Sequence, residues 1–224
     1  MAAVRRSAPL RAAAASAAGK VGRSSRTSTV ALGTAYEHAA RRALARPPFH
    51  LTSLLNVGGA GDGGVDLRGR WTWSRTPAPS AGGLLDLANG VKPYAGPPHA
   101  SDTLDLARWD ALVQCKAERD RVGPATVREL EGAVLAAVAR STRSPTISGP
   151  GATPTSPIGI LVAMNGFSAA ALQHAQTSAI PLVLAHLAVR DVDDMVRTRG
   201  RQGDYSVVNA SINRALRSLV EQAF

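Results

Sequence analysis

Apolar positions recur at helical spacing through "GTAYEHAARRALA" (33–45), and Thr34 stands three residues before Glu37, a pattern that opens a helix. "FHLTSLLNV" (49–57) reads as a short strand or an irregular approach to the glycine-rich run that follows. In "GVDLRGRWTW" (64–73), Val65 and Leu67 alternate with Asp66 and Arg68, the two-residue period of a half-buried strand. Residues 74–107 break the pattern with "TPAPSAGG" and "AGPPHAS", which predicts a long insertion between two strands of a hairpin. The second strand is "WDALVQCKAE" (109–118). "GPATVRELEGAVLAAVAR" (123–140) is the clearest helix: Pro124 suits its first turn, and Val127, Leu130, Val134, Leu135 and Val138 lie along one side.

A Ser, Thr, Pro and Gly-rich linker over 141–157 leads to "IGILVAMN" (158–165), apolar on both sides as a central strand would be. Ser168 then caps the helix "SAAALQHAQTSA", "PLVLAHLAV" (181–189) is a further strand, and "YSVVNASINRALRSLVEQA" (205–223) predicts a final amphipathic helix. Helices alternating with strands in this order specify one α/β domain around a mixed central β-sheet flanked by helices. Its core is expected over 33–190, with the insertion at 74–107 and the linker at 141–157, and a helical extension over 191–224.

At 224 residues with 45% apolar content, the chain can bury one core. No apolar run approaches the roughly 18 to 20 residues that cross a bilayer, so no membrane insertion is expected. A single cysteine, Cys115, excludes an internal disulfide framework and a multi-thiolate zinc site. The net charge of +10 and pI near 11.1 point to polyanionic partners. Much of that charge lies ahead of Glu37, the first acidic residue, in Arg5, Arg6, Arg11, Lys20, Arg23 and Arg26, set among alanines and serines. This is the composition of a mitochondrial transit peptide, assigned to 1–32; a chloroplast address or a disordered nucleic-acid-binding arm has similar composition. The remaining body is only mildly basic.

Strand residues two apart point to one face, roughly 6.5 to 7 Å from each other. "LVQCKAE" therefore sends Gln114, Lys116 and Glu118 one way and Val113 and Cys115 the other. Pairing with the "VDL" strand would set Asp66 beside Gln114 and Lys116, so that a carboxylate, an amide oxygen and an ammonium share one place. Hard oxygen donors with open positions suit Mg²⁺ or Mn²⁺, and an ammonium can hold the attacking water or stabilise charge on a phosphate. Phosphodiester hydrolysis is the chemistry this set would perform. Lysine is scarce here: of 26 basic residues only Lys20, Lys92 and Lys116 are lysines.

Each residue also has a plainer reading. Lys116 is equally an edge-strand lysine, Asp62 a turn residue or a minor contributor to metal hydration, and Glu37 the partner of Thr34 in a capping box or of Arg41 one turn on. The histidines show no ligand spacing, Cys115 fits a small core side chain, and "RTRGRQG" (197–203) is a solvated loop or a phosphate contact. The glycine-rich run lacks the Gly-Lys-Ser/Thr of a Walker loop.

Through "GGAGDGGVDLRG", "VQCK" and "GILVAMNGFSAAALQHA" the chain resembles the restriction-endonuclease-like superfamily of the PD-(D/E)XK type, in particular its Mrr branch. Those nucleases have a helix bearing a glutamate, a glycine turn leading into "GxD", and a "QxK" strand where other relatives carry "ExK". The matching positions are Glu37, Asp66, Gln114 and Lys116. With its basic leader the chain is similar to the fungal mitochondrial family named for being required for respiratory growth. The resemblance spans about 33–190 and implies a restriction-endonuclease-like core and a nuclease acting on DNA, as endonuclease or exonuclease, in the mitochondrial matrix. It further implies Asp66, Gln114 and Glu37 as metal ligands for Mg²⁺ or Mn²⁺ and Lys116 as the residue orienting the nucleophile. Many such nucleases cut as dimers, which makes a homodimer an option. The insertion and the glutamine in place of glutamate depart from the pattern. Two other readings follow from them: a nucleic-acid-binding protein of this fold without catalysis, or a non-enzymatic matrix factor for respiratory function.

Overall fold

The computed structural model describes residues 28–59, 63–75, 84, 85, 87, 91–96, 105–143, 156–201 and 205–224. The leader up to residue 27, Asp62, His99 and most of the 141–157 linker therefore lie outside the described residues. Helix α1 runs over Thr29–Leu44, and Ser28 caps it by accepting from the Ala31 amide at 3.1 Å. The capping box expected between Thr34 and Glu37 does not form. Serine is the better N-cap of the two, and Gly33 weakens the first turns without ending them, so the upstream cap wins and Glu37 lies inside the helix.

A mixed seven-stranded sheet follows, in the order β1(Thr52–Asn56)–β2(Leu67–Arg75)–β4(Asp105–Lys116)–β5(Ile158–Ala163)–β6(Leu182–Val189)–β7(Tyr205–Ile212), with β3(Val91–Pro93) also paired to β2. β2 and β4 are antiparallel, from Leu67 opposite Val113 to Arg75 opposite Asp105, while β4, β5 and β6 are parallel. Every residue of β5 is buried, as its apolar run predicts for a central strand.

Helices cover both faces. On one, α1, α4(Val192–Arg197) and α5(Arg214–Glu221) pack Tyr36, Ala39, Leu44, Met195, Leu216 and Val220 with Trp71, Val113 and Ile160. On the other, α2(Pro124–Arg143) and α3(Ala169–Thr177) pack Val127, Leu130, Val134 and Ala171 with Leu112 and Leu161. No helix among the described residues is long and apolar enough to cross a membrane.

Three expectations are corrected. The stretch 74–107 is not a plain insertion: its ends extend β2 and β4, and it contributes β3 together with buried Leu85, Leu87 and Val91. Apolar side chains scattered among breakers show no period, yet each of these has core to fill. Residues 205–223 are not one helix. β-Branched Val207, Val208 and Ile212 lie in β7, which pairs with β6, and buried Asn213 divides the strand from α5. Asn213 Oδ1 accepts from the amides of Leu182 and Leu216 at 3.0 and 2.9 Å, and its Nδ2 donates to the Ile180 carbonyl at 2.7 Å. Finally, Asp66 stands one residue ahead of β2 rather than within a strand.

Candidate metal centre

Gly63 and Gly64 turn the chain at φ +66° and +80°, the left-handed region that glycine enters without steric cost. A Cβ on Gly64 would also lie 3.2 Å from Gln114 Nε2, so the glycine makes room for that amide. The chain leaves the turn through Asp66, whose carbonyl accepts from the amides of Val57 and Gly58 at 2.8 and 3.2 Å and whose amide donates to the Val113 carbonyl at 2.9 Å. Leu67 opposite Val113 is the last regular pair, and Asp66 lies just past the ladder, where the register slips and its amide bonds the Val113 carbonyl instead of Gln114. There its side chain takes over from the backbone: Asp66 Oδ2 accepts from the Cys115 amide at 2.6 Å. The carboxylate thus sits at the sheet's own level, against the residue between Gln114 and Lys116.

Gln114 and Lys116 share the face of Leu112, toward α2. Lys116 Nζ lies 3.6 Å from Glu129 Oε2 on that helix, a loose pair whose carboxylate is well exposed and therefore weak. Gln114 is only 5% exposed, and its buried Oε1 has no hydrogen-bond partner among the described residues. An unsatisfied buried acceptor costs about 1 to 3 kcal/mol, and a hard cation would satisfy it. Cys115 points the other way. Burial, then the charges of Asp66 and Glu37, push its thiol well above the usual range.

The four predicted residues are therefore placed as follows. Asp66 adjoins the Gln114–Lys116 strand segment, as register requires. Glu37 belongs to α1, on the face opposite Gln114 and Lys116, and its charge acts on the Cys115 thiol, as that of Asp66 does. Among the described residues no three His, Cys, Asp or Glu side chains cluster closely enough to hold a metal. The hard oxygen donors of the predicted set in this part of the sheet are the Asp66 carboxylate, held by the Cys115 amide, and the buried Gln114 oxygen. So small a protein share suits Mg²⁺, which keeps several waters and accepts substrate phosphate. Sequence reasoning missed Glu129, thirteen residues beyond Lys116 on another element, because no local pattern links a helix surface to a strand end. It also missed why Gly64 is glycine, although the paired glycines signal a positive φ.

The family profile described as "Required for respiratory growth protein 7" matches residues 28–216. Required for respiratory growth protein 7, mitochondrial, of Saccharomyces cerevisiae (strain ATCC 204508 / S288c) is 31% identical over 131 residues, covering 54% of this chain and 54% of that protein. The protein of the same name from Vanderwaltozyma polyspora is 34% identical over 122 residues, covering 48% and 47%. An uncharacterised mitochondrial protein of Schizosaccharomyces pombe is 27% identical over 165 residues, covering 74% of this chain and 48% of its own length. The chain spans about half the length of the curated relatives it matches. No solved structure matches it significantly.

Proposed function

This chain belongs to the Required for respiratory growth protein 7 family, and on that premise we propose that it works in the mitochondrial matrix as a metal-dependent DNA nuclease supporting respiratory growth. The relatives' names support the compartment and the physiological role. The sheet supports a restriction-endonuclease-like core: an antiparallel β2–β4 pair continues into parallel β4, β5 and β6, with helices on both faces. The observation that carries the chemistry is the 2.6 Å hydrogen bond between Asp66 Oδ2 and the Cys115 amide, which fixes a carboxylate against the strand bearing Gln114 and Lys116.

Asp66 and Gln114 would hold Mg²⁺ or Mn²⁺, with Glu37 adding negative charge from the α1 side. The bound ion would supply Lewis acidity toward a phosphoryl oxygen and a more acidic water. Lys116, once it exchanges Glu129 for substrate, orients the attacking water and stabilises charge growing on the phosphate. Cys115 contributes no nucleophile, because its raised thiol stays protonated at neutral pH.

Incubation of the purified full chain with plasmid DNA tests this. Cleavage is expected with Mg²⁺ or Mn²⁺ and not with EDTA, and Lys116→Ala or Asp66→Asn should slow it about 100- to 1000-fold. Metal-independent cleavage, or cleavage indifferent to both substitutions, would overturn the reading. One observation favours a second reading, a nucleic-acid-binding protein without catalysis: Gln114 brings one negative charge fewer than a glutamate would. DNA binding with no cleavage under any divalent ion is the result that reading requires.

A further inference from the structure

A basic groove of about 560 Å³ runs between α1, the β1 edge and the loop after α4, lined by His38, Arg41, Arg42, Arg199 and Arg201 over a floor that includes Leu54. We infer that this groove binds the phosphodiester backbone of a nucleic acid and delivers the strand to the turn carrying Asp66. The inference rests on the nuclease reading for its destination, whereas the groove itself rests on charge and geometry.

Four arginines line it, and no carboxylate is among the described residues lining the groove. Arg197, at the end of α4, is paired with Asp194 and is not part of the set. The loop is held in place rather than loosely solvated. Gly200 adopts φ +66°, and its amide donates to the Met195 carbonyl at 2.7 Å. A Cβ there would collide with the Ala35 carbonyl and come within 2.9 Å of the Ala39 amide, so only glycine lets the loop press on α1. That packing sets Arg199 and Arg201 against Arg41 and Arg42. Gathering like charges costs free energy in the unliganded protein, and the cost is recovered by a partner carrying repeated negative charge. Arginine's planar fork matches phosphate, and each phosphate it neutralises releases counterions.

Position identifies the occupant further. Arg41 Nη1 reaches 3.5 Å from Asn56 Oδ1; Asn56 pairs with Leu67, and the next amide, that of Val57, donates to the Asp66 carbonyl. One end of the groove thus adjoins the turn that carries Asp66, at the strand end where the proposed cutting site lies. A polymer backbone lying along the arginines would continue to that site, whereas an isolated anion or a flat lipid surface would gain nothing from this continuity.

The test uses the full chain with a fluorescein-labelled DNA duplex in EDTA, where cutting cannot intervene, across a series of salt concentrations. An Arg41→Gln/Arg199→Gln/Arg201→Gln variant should bind at least about 10-fold more weakly, and its log K against log salt slope should shrink by about 2 to 3, close to one for each phosphate no longer neutralised. An Arg128→Gln/Arg214→Gln/Arg217→Gln variant removes the same charge from exposed positions elsewhere and should lose far less. Arg201→Gln alone, with its melting temperature recorded, guards against a folding defect. Equal losses in the two triple variants, or no loss in the groove variant, overturn the inference. So does arginine-dependent binding to vesicles of phosphatidylcholine with phosphatidylglycerol when DNA binding is arginine-independent. Cleavage that survives the groove variant with unchanged DNA affinity defeats the groove and leaves the nuclease reading standing. Arginine-dependent DNA binding by a chain that never cuts does the reverse.

Discussion

Gln114 and Asp66 use their oxygens in different ways. Asp66 commits one oxygen as a substitute ladder acceptor for the Cys115 amide, whereas Gln114 keeps a buried oxygen for which the described protein offers no donor. Replacing an orphan polar group with an apolar one of similar shape is close to neutral or stabilising, because no made hydrogen bond is given up at the oxygen. Gln114→Leu is therefore expected to change the unfolding free energy of the metal-free chain by less than about 1 kcal/mol, as urea titration would show; a loss of several kcal/mol would mean that the oxygen is already engaged. At this scale the sequence is legible where pleat and register act. Two-residue alternation puts Gln114 and Lys116 on one face, and pairing of the two strands brings Asp66 against the Gln114–Lys116 segment, at Cys115. It is illegible for Glu37, whose approach from the other face depends on where α1 crosses the sheet, and for Glu129, which no local spacing ties to Lys116.

Elements with a strong period of their own are readable in the sequence, and those that depend on tertiary partners are not. Helix α2, strands β5 and β6, and α3 with its Ser168 cap agree with the apolar pattern to within a few residues. Strand β3 spans only Val91–Pro93 and exists because the free edge of β2 needs a partner, a reason invisible in its composition. The start of α1 shows how one cap displaces another, and it yields a test. A chain beginning at Ser28 keeps the cap and all of α1. One beginning at Glu37 loses Ala35 and Tyr36, both buried, and the Tyr36 hydroxyl that donates to the Leu187 carbonyl at 3.1 Å. Burial of that tyrosine, with Cys115 nearby, already pushes its phenol well up. Removing an aromatic of this size from a core typically costs about 3 to 5 kcal/mol. The longer truncation should melt lower by calorimetry than the chain starting at Ser28, and equal melting temperatures would show that the first turns of α1 carry no stability.

Over the whole molecule, the two proposed functions lie on different faces of the sheet: the arginine groove and Glu37 belong to the α1 side, Gln114 and Lys116 face α2, and Asp66 stands at the strand end between them. The overall basic charge misleads about location, since six of its basic residues lie in residues 1–27, ahead of the first acidic residue, while the groove's arginines are distributed between α1 and the loop after α4. The proposed catalysis would depend on the Asp66 carboxylate and the Gln114 amide oxygen together holding a divalent cation. Counting Mn²⁺ bound to the full chain, from the paramagnetic resonance of the free ion, addresses that pairing without reference to any substrate. Saturable binding is expected, lost in both Asp66→Asn and Gln114→Leu and retained in Lys116→Ala. Unchanged Mn²⁺ binding in Asp66→Asn would contradict it.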